Sequence, residues 1–277
     1  MSPDEYCRQK AAASGSSFYY SFLFLPPERR RAIIALYAFC REVDDVVDEV
    51  SDPGVARSKL AWWKQEIGAI YAGSAQHPVA QALAPVVRAY ELQRERLELI
   101  VDGMGMDLEY NRYPDFATLE VYAYRVAGVV GELSARIFGY TDARTLEYAR
   151  ALGLAFQLTN IIRDVGEDVR RNRIYLPLDE LAQFGLASDD LVALKEDDRF
   201  ARLMGFQISR AREHYARALA LLPAIDRKSQ RPGLVMAAIY RTLLDEIEAS
   251  GARVLNQRIS LTPLRKLWIA WRTWVSV

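Results

Sequence analysis

Asp44 and Asp48 stand four residues apart in the segment LYAFCREVDDVVDE, residues 36–49. On a helix such a pair shares one face, with Cβ atoms about 5–6 Å apart. Two like charges that close repel each other unless something positive lies between them. Arg41 precedes Asp44 by three residues and Tyr37 precedes Arg41 by four, so all of these side chains fall on the same face. Taken alone, the acidic pair also fits a solvated helix end. A second set occurs in ALGLAFQLTNIIRDVGED, residues 151–168, where Gln157, Asn160, Asp164 and Asp168 recur at intervals of three, four and four. They draw one polar stripe down an otherwise apolar helix. An unpaired carboxylate is costly to bury, so the stripe must face water, a partner or an ion, or belong to a buried hydrogen-bond network.

Carboxylate and amide oxygens without histidine or cysteine suit a hard cation such as Mg²⁺, with Mn²⁺ as an alternative. The basic run Arg170, Arg171 and Arg173 follows the second stripe directly, and Arg163 lies inside it. Arginines beside acids supply bidentate phosphate contacts. Two acidic faces over an apolar interior therefore suit a substrate with a diphosphate head and a long hydrocarbon tail. A metal neutralises the departing diphosphate, so that an allylic C–O bond breaks to a carbocation. The cavity beneath must be dry and aromatic, because water quenches such a cation. Tyr19, Tyr20, Tyr37, Tyr122, Tyr124 and Tyr240 are candidates to line it.

The elements that must position these groups are helices. Apolar residues recur at three- and four-residue intervals in RAIIALYAFCREV, LAWWKQEIGAIY, VAQALAPVVRAY and YARALGLAFQLTNII. No run of period-two alternation bounded by turn signals supports a sheet. Breaks fall at Pro26-Pro27, Ser51 to Gly54, Gly73-Ser74, Tyr113 to Asp115, Gly139 and Pro223. The expectation is an all-α, single-domain bundle over residues 1–277, with roughly eight to ten helices around a central cavity. The 36 basic and 36 acidic residues balance, which argues against a nucleic-acid partner. Cys7 and Cys40 form no CxxC spacing, and His77 and His214 are too few and too distant for a zinc site.

At these residues the sequence resembles the squalene/phytoene synthase family over nearly its whole length. The motifs are YAFCREVDDVVD (Tyr37 to Asp48), YAYRVAGVVGE (Tyr122 to Glu132), GLAFQLTNIIRDVGED (Gly153 to Asp168) and RNRIYLP (Arg171 to Pro177). The resemblance implies an isoprenoid synthase fold and head-to-head condensation of two prenyl diphosphates. Asp44, Asp48, Asn160, Asp164 and Asp168 resemble the family's magnesium ligands, while Asp45 shares the acidic surface without an assigned part. Tyr37, Arg41, Gln157, Arg163 and Tyr240 resemble prenyl-diphosphate contacts, and Tyr122 a residue near the cation. Ser17 and Phe18 match a diphosphate-side loop, in which many relatives carry histidine where this chain has Ser14.

The SGSSFYYSF variant and the compact length look most like bacterial presqualene diphosphate synthases of hopanoid pathways. That implies two molecules of farnesyl diphosphate as substrate, no NADPH, and downstream hopanoid-pathway enzymes as partners. Phytoene, dehydrosqualene and full squalene synthases share the same motifs, and pocket depth decides chain length. A helical assembly protein of the same fold would be expected to lose the acidic ligands, and both sets are present. The polar amino terminus and the lack of a long apolar run imply a cytoplasmic protein. Residues 264–277 combine three tryptophans with three basic residues. They fit either a packed terminal helix or an interfacial helix on the inner face of the membrane.

Overall fold

A computed structural model describes residues 1–13 and 18–277. The described chain is helical, and its single bridge of β type joins Arg112 to Ile174 between loops. The helices are α1 (Pro3–Ala13), α2 (Phe18–Phe22), α3 (Pro27–Glu49), α4 (Pro53–Ala72), α5 (Pro78–Ala89), α6 (Arg94–Met106) and α7 (Phe116–Ala123). A π turn (Tyr124–Gly128) then runs without a break into α8 (Val129–Phe138), followed by α9 (Arg144–Arg170). The remainder comprises α10 (Leu178–Gln183), α11 (Ser188–Val192), α12 (Asp198–Leu221), α13 (Arg231–Ala249) and α14 (Pro263–Ser276). Fourteen α-helices among the described residues exceed the eight to ten expected, because α2, α7, α10 and α11 have eight residues or fewer. Pieces that short carry too little periodicity to read.

The punctuation acts where local chemistry requires it. Pro27 and Pro53 open α3 and α4 in the first turn, where no N–H is needed. The Asp52 carboxylate caps α4 by accepting from the Val55 amide at 2.9 Å. Asp115 caps α7 in the same way through the Thr118 amide at 2.8 Å. Gly139 ends α8 with φ of +86°, a conformation that strains any residue with a Cβ.

Two apolar groups make the core. One gathers α9, α12 and α13; the other gathers α1, α3, α4, α5, α6 and α8. Phe18 and Val126 pack against both. The cavity described below lies between α3 and α9 and draws its walls from both groups. Its width depends on how closely α8 and the π turn approach α9. A Cβ on Gly131 would stand 2.2 Å from the Ala149 carbonyl oxygen, and one on Gly153 would stand 2.4 Å from that of Ala127. Buried Glu132 then fastens the contact, accepting from Arg150 Nε at 2.5 Å and pairing with Arg96 at 3.3 Å. Gly153→Ala should therefore destabilise the protein by about 1–3 kcal/mol, the usual cost of overpacking. Chemical denaturation checks this, with Gly205→Ala as the control, because Gly205 has open space around it.

Candidate active site

A cavity of about 500 Å³ opens between α3 and α9. From α3 it receives Tyr37, Cys40, Arg41, Asp44 and Asp48, which recur every three or four residues on one helix face. From α9 it receives Gln157, Asn160, Asp164, Glu167 and Asp168 at its polar end. The same face of α9 continues through Phe156, Gly153, Leu152, Ala149 and Tyr148 into an apolar end. The two stripes, more than a hundred residues apart in the chain, thus line one space.

Arginines stand between the acids. Arg41 donates to Asp44 Oδ2 and to Asp45 Oδ1, each at 2.5 Å. Asp45 also pairs with Lys10 of α1 at 2.7 Å and lies outside the cavity wall, so it anchors Arg41 and α1. Asp48 accepts from Arg171 at 2.8 Å and Arg173 at 2.7 Å, which ties the end of α3 to the loop after α9. Asp164 receives both Nε and a terminal nitrogen of Arg163, at 2.8 and 2.5 Å, and Arg258 Nε at 3.1 Å. Arg170, the remaining arginine of the basic run, binds the Gly166 and Leu255 carbonyls instead.

Burial shifts the titration of two of these groups. It pushes the Asp44 carboxyl up to about 6 despite the opposing Arg41 guanidinium. It pushes Asp168 up to about 8, with neighbouring Asp164 adding to the effect. The Asn160 side-chain oxygen is buried with no hydrogen-bond partner, while its amide nitrogen stands 3.4 Å from Gln157 Oε1. A buried oxygen left unpaired, near carboxyls pushed upward by burial, fits a hard cation with oxygen ligands. Among the described residues no three acids, histidines or cysteines are gathered tightly enough to enclose an ion in this arrangement. Asp44, Asp48 and Asp164 are paired instead with Arg41, Arg173 and Arg163.

Other expected residues fall in several positions. Phe18 lines the cavity, stacked on Tyr37 with ring centroids 5.7 Å apart and edge-on to Phe156 at 6.3 Å. Ser17 and Ser14 lie outside the described residues. Tyr240 stands behind the wall rather than in it, packed on Phe156 with centroids 5.2 Å apart and beside Arg163. Tyr19 is exposed, Tyr20 lies under Lys266, and Tyr124 accepts from Arg96, so none of these three lines the cavity.

Tyr122 does line it, and its hydroxyl donates to Asp107 Oδ2 at 3.0 Å. Tyr175 donates to the other oxygen of Asp107 at 2.8 Å, and the Tyr122 and Tyr175 rings stack at 5.3 Å. Asp107 and Tyr175 complete the site without having been singled out from the sequence. Asp107 sits just past the end of α6 and belongs to neither of the two polar stripes, so helix periodicity does not mark it. Only the fold shows that two tyrosines converge on it. Burial pushes its carboxyl up to about 6. Tyr148, at the far end of the cavity, was likewise not among the tyrosines expected to line it.

A profile of squalene/phytoene synthases matches residues 11–265. The chain belongs to that family. It is 38% identical over 282 aligned positions to the 15-cis-phytoene synthase of a Synechocystis species, covering 96% of this chain and 84% of the relative. A phytoene synthase of Arthrospira platensis is also 38% identical, over 95% and 89% of the two chains. Among solved structures, a ligand-bound dehydrosqualene synthase superposes with a TM-score of 0.89 at 26% identity, covering 99% of this chain and 96% of the other. A squalene synthase from Alicyclobacillus acidocaldarius gives 0.80 at 28% identity, over 90% and 94%. The family is one of prenyltransferases, and the isoprenoid synthase fold expected from the sequence is the one observed.

The raised carboxyls predict a pH dependence of stability. Asp168 lifts from an ordinary 3.8 to about 8, so the stability that its neutral form contributes is whole below about pH 4 and lost as pH rises through 8. In metal-free buffer, Asp168→Asn should raise the melting temperature at about pH 9 and leave it unchanged at about pH 4. Thermal denaturation at the two pH values checks the sign.

Proposed function

We propose that this family member condenses two molecules of farnesyl diphosphate head-to-head, giving presqualene diphosphate and free diphosphate. The observation that carries the reading is the single elongated cavity, acidic and arginine-rich at one end and apolar at the other. Its polar end matches a diphosphate; its apolar end matches a prenyl chain. The SGSSFYYSF segment, resembling that of bacterial presqualene diphosphate synthases, supports the choice of product.

Asp44, Asp48, Asn160, Asp164 and Asp168 would hold Mg²⁺, which when bound supplies charge neutralisation to the departing diphosphate. Arg41, Arg163, Arg171 and Arg173 neutralise the acids here and offer planar donors to diphosphate oxygens once the acids are otherwise engaged. In the reaction, the allylic C1–O bond of one substrate breaks and its electron pair leaves with the diphosphate. The C2–C3 π pair of the second substrate then bonds to that C1. Loss of a proton returns the electrons that close the cyclopropane, with the released diphosphate or a nearby tyrosine as base. Phe18, Tyr37 and Phe156 wall the region just beyond the polar end, excluding water and offering π faces to positive charge. Asp107 fixes the hydroxyls of Tyr122 and Tyr175 as donors, so their oxygen lone pairs remain directed elsewhere.

A second reading is favoured by the 38% identity to proteins named phytoene synthase, namely coupling of longer prenyl diphosphates in the same site. Incubating purified protein with Mg²⁺ and farnesyl or geranylgeranyl diphosphate, with and without NADPH, separates the readings. Presqualene diphosphate from farnesyl diphosphate under both conditions is expected; squalene appearing only with NADPH would place the chain among reductive enzymes. Asp48→Ala and Asp164→Ala should each abolish turnover in folded protein, and near-wild-type rates in both would defeat the ligand assignment.

We further propose that α14 rests on an anionic bilayer. Ile269 and Ala270 pack inward, while Leu264 (80% exposed), Trp268 (54%), Trp271 (54%) and Val275 (61%) face outward. Lys266 and Arg272 flank them, and α14 packs against α2, whose Phe18 and Phe22 line the cavity. An amphipathic helix with apolar, aromatic and basic side chains suits a lipid surface, and the helix stands beside a wall of a cavity suited to lipid tails. Among the described residues no helix is long and apolar enough to cross a membrane. Replacing Trp268 and Trp271 together by Glu should weaken binding to phosphatidylglycerol vesicles by at least about tenfold. Unchanged co-sedimentation would refute the contact.

A further inference from the structure

We propose that Tyr148, seated against Gly233, is the stop that sets how long a prenyl chain the cavity accepts. This rests on the reading of the cavity as a prenyl-diphosphate site. The α9 residues that line it run from Asp168 back to Tyr148, about 30 Å at 1.5 Å per residue. Polar lining on α9 ends at Gln157; from Phe156 back to Ala149 the wall is apolar or small. Tyr148 is the last α9 residue of the lining and is 1% exposed.

Its hydroxyl is buried without a hydrogen-bond partner, an arrangement that packing alone does not call for, since phenylalanine would leave no polar atom unpaired. What the extra atom does is fill a notch. A Cβ on Gly233, in the first turn of α13, would stand 2.7 Å from the Tyr148 hydroxyl and 3.4 Å from Leu152. The phenol thus crosses from α9 to the backbone of α13 and closes the space between them.

Phe138 from the end of α8 also lines the cavity, and its ring meets that of Phe22 at 6.4 Å. Gln230 is 1% exposed and donates its amide to the Gly139 carbonyl at 2.8 Å. Shortening residue 148 therefore lengthens the apolar end, whereas adding a methyl group at residue 233 pushes the phenol into it.

The test measures kcat/KM for farnesyl and geranylgeranyl diphosphate with Mg²⁺, and calorimetric affinity for unreactive C10 to C20 alkyl diphosphates. Tyr148→Ala and Tyr148→Leu should raise the geranylgeranyl-to-farnesyl ratio by at least about tenfold and shift the best-bound alkyl chain to greater length. Gly233→Ala should move both in the opposite direction, and Tyr148→Phe, which empties the notch, should move them in the same direction as Tyr148→Leu by a smaller factor. If Tyr148→Ala does not fold, Tyr148→Leu and Gly233→Ala decide the matter. Unmoved ratios and affinities in folded variants of an active enzyme would overturn the stop while leaving the proposed function intact. A wild-type protein that neither turns over nor binds any of these diphosphates would instead overturn the proposed function, and the stop with it.

Discussion

Like charges crowded at the head of one cavity are the constraint around which this molecule is organised. Asp44, Asp48, Asp107, Asp164 and Asp168 all line that cavity and are only partly exposed. Such a set persists only if cations stand between its members or some members stay protonated. Both solutions are present. Arg41, Arg163, Arg171 and Arg173 occupy the gaps, and burial lifts Asp44, Asp107 and Asp168 toward their neutral forms. The pairings also tie the chain together: Asp48 joins α3 to the loop after α9, and Asp164 joins α9 to Arg258 beyond α13. The cation and the diphosphate proposed above would satisfy the same acids and arginines that now satisfy one another.

The apolar half obeys a different rule. It has no charges to space its walls, so its dimensions follow from how closely helices approach. Gly131 and Gly153 let α8 and the π turn meet α9 backbone to backbone, and Gly233 leaves the notch that the Tyr148 hydroxyl fills. Close packing is unforgiving of added volume, so glycine at these positions fixes the shape of the space that excludes water. Polar chemistry at one end and geometry at the other are thus encoded by different residue types on the same helix, α9.

This division bears on the relatives. Proteins named phytoene synthase, dehydrosqualene synthase and squalene synthase resemble this chain in sequence or in fold. They share the family or the fold with it, and under the proposed stop the apolar end is where a change of a few atoms would alter what fits.

The sequence by itself determined the helical class, the two acidic stripes and the family. Spacing of three and four residues is a local property of a helix, so Asp44 with Asp48, and Gln157 through Asp168, could be read without knowing where either helix goes. The helix breaks at Pro27, Pro53 and Gly139 were legible for the same reason, since proline and glycine act on their own backbone. Tertiary structure alone decided which side chains meet across helices. Asp107 has no sequence pattern because its partners, Tyr122 and Tyr175, arrive from elsewhere in the chain. Tyr240 moves behind the wall, Asp45 turns to Lys10, and Tyr148 reaches α13, each through a contact between distant segments. Periodicity shows which face of a helix is polar; only packing decides what that face meets.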